Sequence, residues 1–323
     1  MIDRLGRCHI LAALLLVVVG FGDPSPSQAQ SGGTDDYVHA IETWRTDRDL
    51  RLRSPNGWLT IVALEWLTPG DNPFGAGENL PVHLPGQYVP KFAGILTMSG
   101  APGARTFTIR PSQDAQITLD DRQLPADEPT TIHSDRGGDA SILALGRLRF
   151  WIVERGERAA LRVRDPEAEL RQSFRGVDSY PIDPHWNIRA HFTPFPDPQE
   201  LIIPNILGDA DTTRCYGTID FELAGAHRSL RPMSDSPEDS TLFVVFGDET
   251  NGKDTYGGGR FLYARLEPNG SLDLDFNKAY NPPCAFNTFT TCPLPPDGNR
   301  LPFAVTAGEK AYEHGPVVSD PGR

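Results

Sequence analysis

The chain lacks the common signatures of catalysis. It has no Gly-x-Ser-x-Gly elbow, no His-Glu-x-x-His, no Walker loop and no Cys-x-x-Cys, so the familiar serine-hydrolase, zinc-protease, P-loop and dithiol centres are without their residues. It lacks a repeat at a solenoid period and any alternation of strands with long helices, which speaks against arrays and a Rossmann unit. Past residue 29 it has no apolar run near the roughly 20 residues that a membrane helix needs. It is also short of basic charge. Against 43 Asp and Glu stand 30 Lys and Arg, a net charge of −13, which repels phosphate backbones and argues against a nucleic-acid partner. The one basic cluster, Arg155 to Arg171, is interleaved with Glu154, Glu157, Asp165, Glu167 and Glu169 and reads as a solvated strand and turn.

What is present begins with an export signature. Arg4 and Arg7 precede an apolar run from Ile10 to Phe21, followed by a Pro/Ser/Gln stretch ending Ser27-Gln-Ala29. The expectation is a signal peptide over 1–29, cleaved near Ala29, and a soluble protein in the periplasm or outside the cell, with no membrane span. Cleavage removes Asp3 and Asp23 together with Arg4 and Arg7, so the net charge stays at −13. It also removes Cys8, leaving Cys215, Cys284 and Cys292. In an oxidising compartment Cys284 and Cys292, with seven residues between them, are the natural disulfide. A metal site and a nucleophilic Cys284, activated by His185 or His191, remain alternatives. Cys215 reads as a buried thiol.

From Asp35, Tyr37, Ile41 and Trp44 recur at helical spacing, which predicts one amphipathic helix ending before Ser54-Pro-Asn-Gly57, with Gly32-Gly33-Thr34 as a tether. The apolar run Trp58 to Leu67 is a buried strand or a short helix, which periodicity cannot decide. Short β-like runs follow at 87–92, 105–109, 115–119, 142–145, 148–154 and 159–163, and later at 201–207, 215–223, 241–246, 259–266, 272–276 and 301–307. The expected fold class is therefore mainly β. An N-terminal helix (with its tether, 30–57) precedes a sandwich-like domain (58–185), a second β region with Pro-rich loops (186–315) and a tail (316–323). Over roughly a third of the chain the order Phe74-Gly75, Asn79, Leu84-Pro85, Gly94 and Asp120-Asp121 resembles the strand rhythm of a forkhead-associated sandwich. The Gly-Arg, Ser and His-Asn residues with which such domains grip phosphothreonine are missing, so this part reads as scaffold.

The C-terminal quarter is richest in polar, aromatic and cysteine residues. Tyr256-Gly-Gly-Gly-Arg-Phe-Leu262, Asp275-Phe-Asn277, Tyr280-Asn-Pro-Pro-Cys284, Cys292-Pro-Leu-Pro-Pro296, Asn299-Arg-Leu301 and Ala307-Gly-Glu-Lys310 together resemble DUF1684, a family of bacterial and archaeal proteins whose biochemical function is unassigned. The resemblance implies a family and no reaction.

The residues themselves set out three readings. Asp273, Asp275 and Asn277 share a face of one strand by its period of two, and the Asn269-Gly270 hairpin is expected to bring Arg260 beside Asp275, with Tyr263 or Tyr256 close. With Tyr256, Tyr280, Asn281 and Asn299 these side chains would line a site for a small molecule or peptide. A hydrolytic enzyme would use Asp248, Asp275 or Glu309 as acid and base, with Arg260 stabilising an oxyanion. A structural module would leave the same groups internally satisfied. Asp273-x-Asp275-x-Asn277 imitates a calcium loop, but Lys278 and Cys284 stand where Gly and Glu are needed. Gly257 to Gly259 could bare N–H groups to an anion or simply mark a tight turn. No metal site is read, and no cofactor is implied by a motif.

Overall fold

The computed structural model describes residues 27–234 and 236–315, with side chains from residue 33 onward. The expected export segment, but for its last three residues, and the tail 316–323 lie outside the described residues. The fold is mainly β with an N-terminal helix, in the expected order.

Helix α1 (Ser27–Arg53) begins earlier than expected and takes in Gly32-Gly33-Thr34. Its inward stripe is Tyr37, Ile41, Trp44, Arg45, Arg48 and Leu52, one face at the three- and four-residue spacing of an α-helix. Ile41 and Leu52 are fully buried, each stabilising by about 1.5–3 kcal/mol. Pro55 pushes Ser54 out of the helical region and ends the helix, with Arg51 and Arg53 placed favourably in its last turn. The ambiguous run at 58–67 is one of each kind, a 3-10 turn (Trp58–Thr60) leading into a strand.

The first half holds β1 (Ile61–Trp66), β2 (Gly70–Gly75), β3 (Val82–His83), β4 (Gly94–Ser99), β5 (Thr106–Pro111), β6 (Ile117–Leu119), β7 (Arg122–Gln123), β8 (Thr130–Ile132), β9 (Leu143–Leu145), β10 (Leu148–Arg155) and β11 (Arg158–Arg164). They form two sheets, β1-β11-β10-β9-β6-β7 and β3-β2-β4-β5-β8. Phe74, Leu96 and Ile109 from one sheet meet Phe150, Ile152 and Leu161 from the other in a shared apolar core, the arrangement of a sandwich. Because side chains alternate across a strand, Trp151 on β10 and Arg162 and Arg164 on β11 point away from that core.

A short helix, α2 (Glu169–Ser173), precedes β12 (Asn187–Pro204), β13 (Ala210–Leu223), β14 (Ala226–Leu230), β15 (Thr241–Phe246), β16 (Arg260–Arg265) and β17 (Ser271–Asp275). β14-β13-β12-β17 form one sheet and β15-β16 a hairpin beside it. Phe246, Leu262, Leu272, Leu274 and Phe276 fill the core between them. A third apolar cluster joins Leu52 and Leu59 to Phe174, Phe261, Phe286, Tyr312 and the Cys284–Cys292 pair.

Two expected strands do not form. Residues 87–92 make a turn in which Val89 N–H donates to Gly86 O and Pro90 has no N–H to give. Residues 301–307 bend at 302–303 and form no strand: Leu301 N–H and Phe303 O bond to the backbone of 247–249, the carbonyls of Val305 and Ala307 accept from the Arg260 guanidinium, and Val305 N–H donates to Asp248. The expected Arg260–Asp275 pairing is also corrected. Asn269-Gly270 does turn the chain, with Gly270 at φ 82°, but the two strands share only the Leu266–Leu272 bridge. Beyond it β16 pairs with β15 and β17 with β12, opposing Arg260 to Phe246 and Asp275 to Asn187.

Candidate functional site

The polar residues singled out by sequence fall into two separate buried groups. In the first, Arg260 and Asp248 have no exposure and pair at 2.9 Å. The Arg260 guanidinium also donates to the carbonyls of Ala307 and Val305 (the latter at 2.9 Å). Asp248 Oδ1 accepts from the N–H and hydroxyl of Thr250 (2.8 and 2.6 Å) and from Val305 N–H (3.2 Å). Asn251 and Thr255 close the loop between β15 and β16 around this pair. Both carboxylate oxygens thus accept from fixed donors, and the arginine braces the irregular 301–309 segment.

The second group lies under helix α1. The Tyr37 hydroxyl donates to Asp275 Oδ1 (2.8 Å) and accepts from Asn277 Nδ2 (2.9 Å). Burial, with the Asp275 hydrogen bond beside it, holds the Tyr37 hydroxyl above the usual phenol range. Asn277 stands in a 3-10 turn just past β17, where its N–H is capped by Asp275, while Asp273 departs from the expected cluster and pairs with Arg189 in solvent. One turn along the helix from Trp44, Arg48 donates from Nε to Glu309 Oε1 (3.0 Å) and from Nη2 to Asn281 O (3.0 Å). Glu309 Oε2 accepts from Asn281 N–H (2.7 Å). Arg48 also lies over the Tyr280 ring, 4.7 Å from its centroid. The helix is therefore fastened along its length to residues 275–309.

The remaining residues singled out by sequence have local roles. Asn299 clamps three backbone groups, Arg231 N–H, Arg231 O and Val245 O. Tyr256 is buried, its hydroxyl has no partner, and burial pushes it up to about 12. At Gly258 a Cβ would stand 2.6 Å from the Tyr256 ring, and Gly259, at φ +86°, closes a turn by donating to Tyr256 O; both glycines serve a tight turn. Cys284 and Cys292 form a disulfide, Cα atoms 6.1 Å apart, which removes the nucleophile and metal readings of that pair. His185 is solvent-exposed on Asp183. Cys215 is buried and burial raises its thiol. Asp248 and Glu309 are buried and held by fixed donors, whereas buried Asp275 accepts through Oδ1 and its Oδ2 meets only Lys278 Nζ, at 3.4 Å.

An accessible concave surface lies elsewhere, between the helix, the outer face of the sandwich and the C-terminal loops. A cavity of about 480 Å³ is walled by Trp44, Arg48, Arg51, Trp58, Tyr263 and Tyr280. Tyr263 also borders a second cavity of about 620 Å³ that reaches Phe243, Arg155 and Thr291. Trp58 borders a third, of about 140 Å³, that contains Arg162. Tyr263 and Tyr280 stack, with centroids 6.2 Å apart and planes 20° apart. Tyr263 is 55% exposed and Trp58 40% exposed. Of the sequence candidates only Tyr280 lines this groove. Trp44, Trp58 and Arg162 are not among the sequence candidates, and Tyr263 enters the sequence reading only as a neighbour of Asp275 across the hairpin. The signal for Tyr263 was its alternation with Leu262 and Ala264, which face the core.

A family model described as "Protein of unknown function (DUF1684)" matches residues 172–310. Among solved structures, the solution NMR structure of an uncharacterized protein from Haloarcula marismortui is 37% identical to this chain, covering 43% of it and 78% of that protein, with a TM-score of 0.35. No curated protein matches. The chain belongs to the DUF1684 family. Tyr263 and Tyr280 lie within the matched segment, whereas Trp44, Trp58 and Arg162 precede it.

Proposed function

We propose that this DUF1684 protein is an exported binding protein that holds a small organic molecule in the groove between helix α1, the sandwich and the C-terminal loops. The observation that carries the reading is the aromatic wall: Trp44, Trp58, Tyr263 and Tyr280 surround about 480 Å³ with the guanidinium groups of Arg48 and Arg51 beside them. Ligand sites are concave, largely apolar or aromatic, and oriented by a few polar groups, within about 300–1,000 Å³. Leaving a tyrosine and a tryptophan so exposed gives up burial that each would gain in a core, and a flat ligand recovers it by stacking. Export is supported by the N-terminal basic and apolar pattern together with the disulfide, a bond that persists in oxidising compartments.

The test is a thermal-shift screen of the mature chain against aromatic alcohols, acids and phosphates, repeated on Tyr263→Ala and Trp58→Ala. Hits are expected to raise Tm in the parent and to lose most of that rise in both variants, at nearly unchanged unliganded Tm. Hits that persist undiminished in both variants would place binding elsewhere and defeat the reading.

A further inference from the structure

The smallest of the three cavities contains a charge that the protein does not neutralise. Arg162 lies on the outer face of β11 and is 4% exposed. Its Nε is buried without a hydrogen-bond partner, its guanidinium carbon lies 5.8 Å from the centroid of the Trp58 ring, and Asp135 is the carboxylate whose charge reaches it. The arginines on either side are accounted for. Arg155 pairs with Asp135 at 2.8 Å and donates to Thr291 Oγ1, and Arg164 stacks on Trp151 and reaches Asn56. Asp135 is thus engaged by Arg155, which leaves Arg162 as surplus positive charge in a protein of net charge −13. Burial, with Arg155 and Arg164 nearby, pulls its guanidinium down to about 10. An unpaired buried guanidinium is strongly disfavoured unless something supplies the missing charge.

The cavity before it, about 140 Å³, holds several water-sized volumes and no carboxylate among its lining residues. Trp58 separates it from the aromatic groove, and Arg155, Thr291 and Pro293 connect it to the larger cavity. Because the Thr291 oxygen accepts from Arg155 at 3.2 Å, its hydroxyl hydrogen is available as a donor. Resting on the groove reading, we infer that this cavity is the oxyanion end of the ligand site: Arg162 is the counter-ion for a carboxylate or phosphate carried by the flat ligand, whose body stacks against the aromatic wall. Planar two-pronged recognition of such anions is what a guanidinium provides and a hydroxyl or amide does not.

The experiment measures Kd by calorimetry for benzoate, phenyl phosphate and neutral benzyl alcohol with the parent chain, Arg162→Met and Arg162→Gln. The parent is expected to bind one of the two anions at least about tenfold tighter than the alcohol. Which anion wins separates a carboxylate from a phosphate ligand. Both variants are expected to lose that preference while keeping the parent's Kd for benzyl alcohol, and unliganded Arg162→Met is expected to melt no lower than the parent because it removes an unpaired buried charge. Should either variant fail to fold, the other carries the comparison. A parent that binds the alcohol but shows no anion preference, or a preference that survives in a variant, overturns this inference and leaves the groove reading standing. Binding of none of the three defeats both.

Discussion

Arg260 and Asp248 carry full charges at no exposure, 12 residues apart across an irregular loop. Neutralising one strands the other, so Asp248→Asn is expected to cost about 3–5 kcal/mol in urea unfolding, although Asn keeps the oxygen that receives Thr250 and Val305. A loss below about 1 kcal/mol would mean that the pair behaves like a surface bridge. Tyr256 makes the opposite case. Its hydroxyl is buried without a partner, and deleting an unsatisfied polar atom relieves its desolvation, so Tyr256→Phe is expected to stabilise by about 1 kcal/mol. The same burial sets a pH dependence. An unfolded tyrosine releases its proton near 10.0, while folded Tyr256 holds it to about 12. Through that window the folded chain binds more protons, so this contribution to stability is present below pH 10 and is lost as pH rises towards 12. Stability measured across that window should fall less steeply in Tyr256→Phe than in the parent; equal slopes would contradict the assignment.

Helix α1 is held less by its own propensity than by what its inner face touches. A lone Gly32-Gly33 pair near its start disfavours helix, yet Tyr37, Arg48 and Leu52 find partners in the C-terminal half and Arg45 donates to Tyr180 O. Arg48→Met is expected to cost about 3 kcal/mol, because Glu309, 4% exposed at its side chain, keeps a buried charge with only Asn281 N–H to receive. Adding Glu309→Gln should restore much of that loss, and a double-mutant cycle by denaturation measures it; purely additive losses would contradict the coupling. The helix was legible from Tyr37, Ile41 and Trp44 because a stripe at that spacing survives any tertiary context. β12 was half hidden because Pro194, Pro196 and Pro198 look like a linker, whereas the strand accommodates them at a register shift between Pro194 and Gln199. Arg162 was misread for a different reason. Charges alternating along 154–171 resemble a solvated edge, but β11 sits between β1 and β10 with a second layer of protein on its outer face, so an outward-pointing arginine there is buried. The Arg260 partner was not legible either, since a hairpin turn fixes where two strands begin to run antiparallel and not which neighbours they keep.

For the whole molecule, the polar residues most conspicuous in the sequence do structural work, and the accessible chemistry lies where the sandwich meets the C-terminal half. Irregular, proline-rich backbone must satisfy its N–H and C=O groups somewhere; Arg260, Asn281 and Asn299 do this for residues 231–310. Once they are committed inward, the wall of the proposed ligand groove is contributed jointly by Trp44 and Trp58 from before the family segment and by Tyr263 and Tyr280 from within it. That division explains why only Tyr280 among the sequence candidates reaches the groove: spacing shows which residues are unusual, not which face of an assembled interface stays open. The five tryptophans report on both places. Trp44 and Trp58 wall the groove, whereas Trp186 packs on Phe276, beside Asp275 and Asn277, with ring centroids 6.1 Å apart. The most direct measurement is therefore the indole N–H region of a nitrogen-15 correlation spectrum during titration with benzoate, phenyl phosphate and benzyl alcohol. The indole signals of Trp44 and Trp58 should move in a saturable way while that of Trp186 stays in place; movement of Trp186 with Trp44 and Trp58 unchanged, or no movement with any of the three, would contradict a ligand site in the groove.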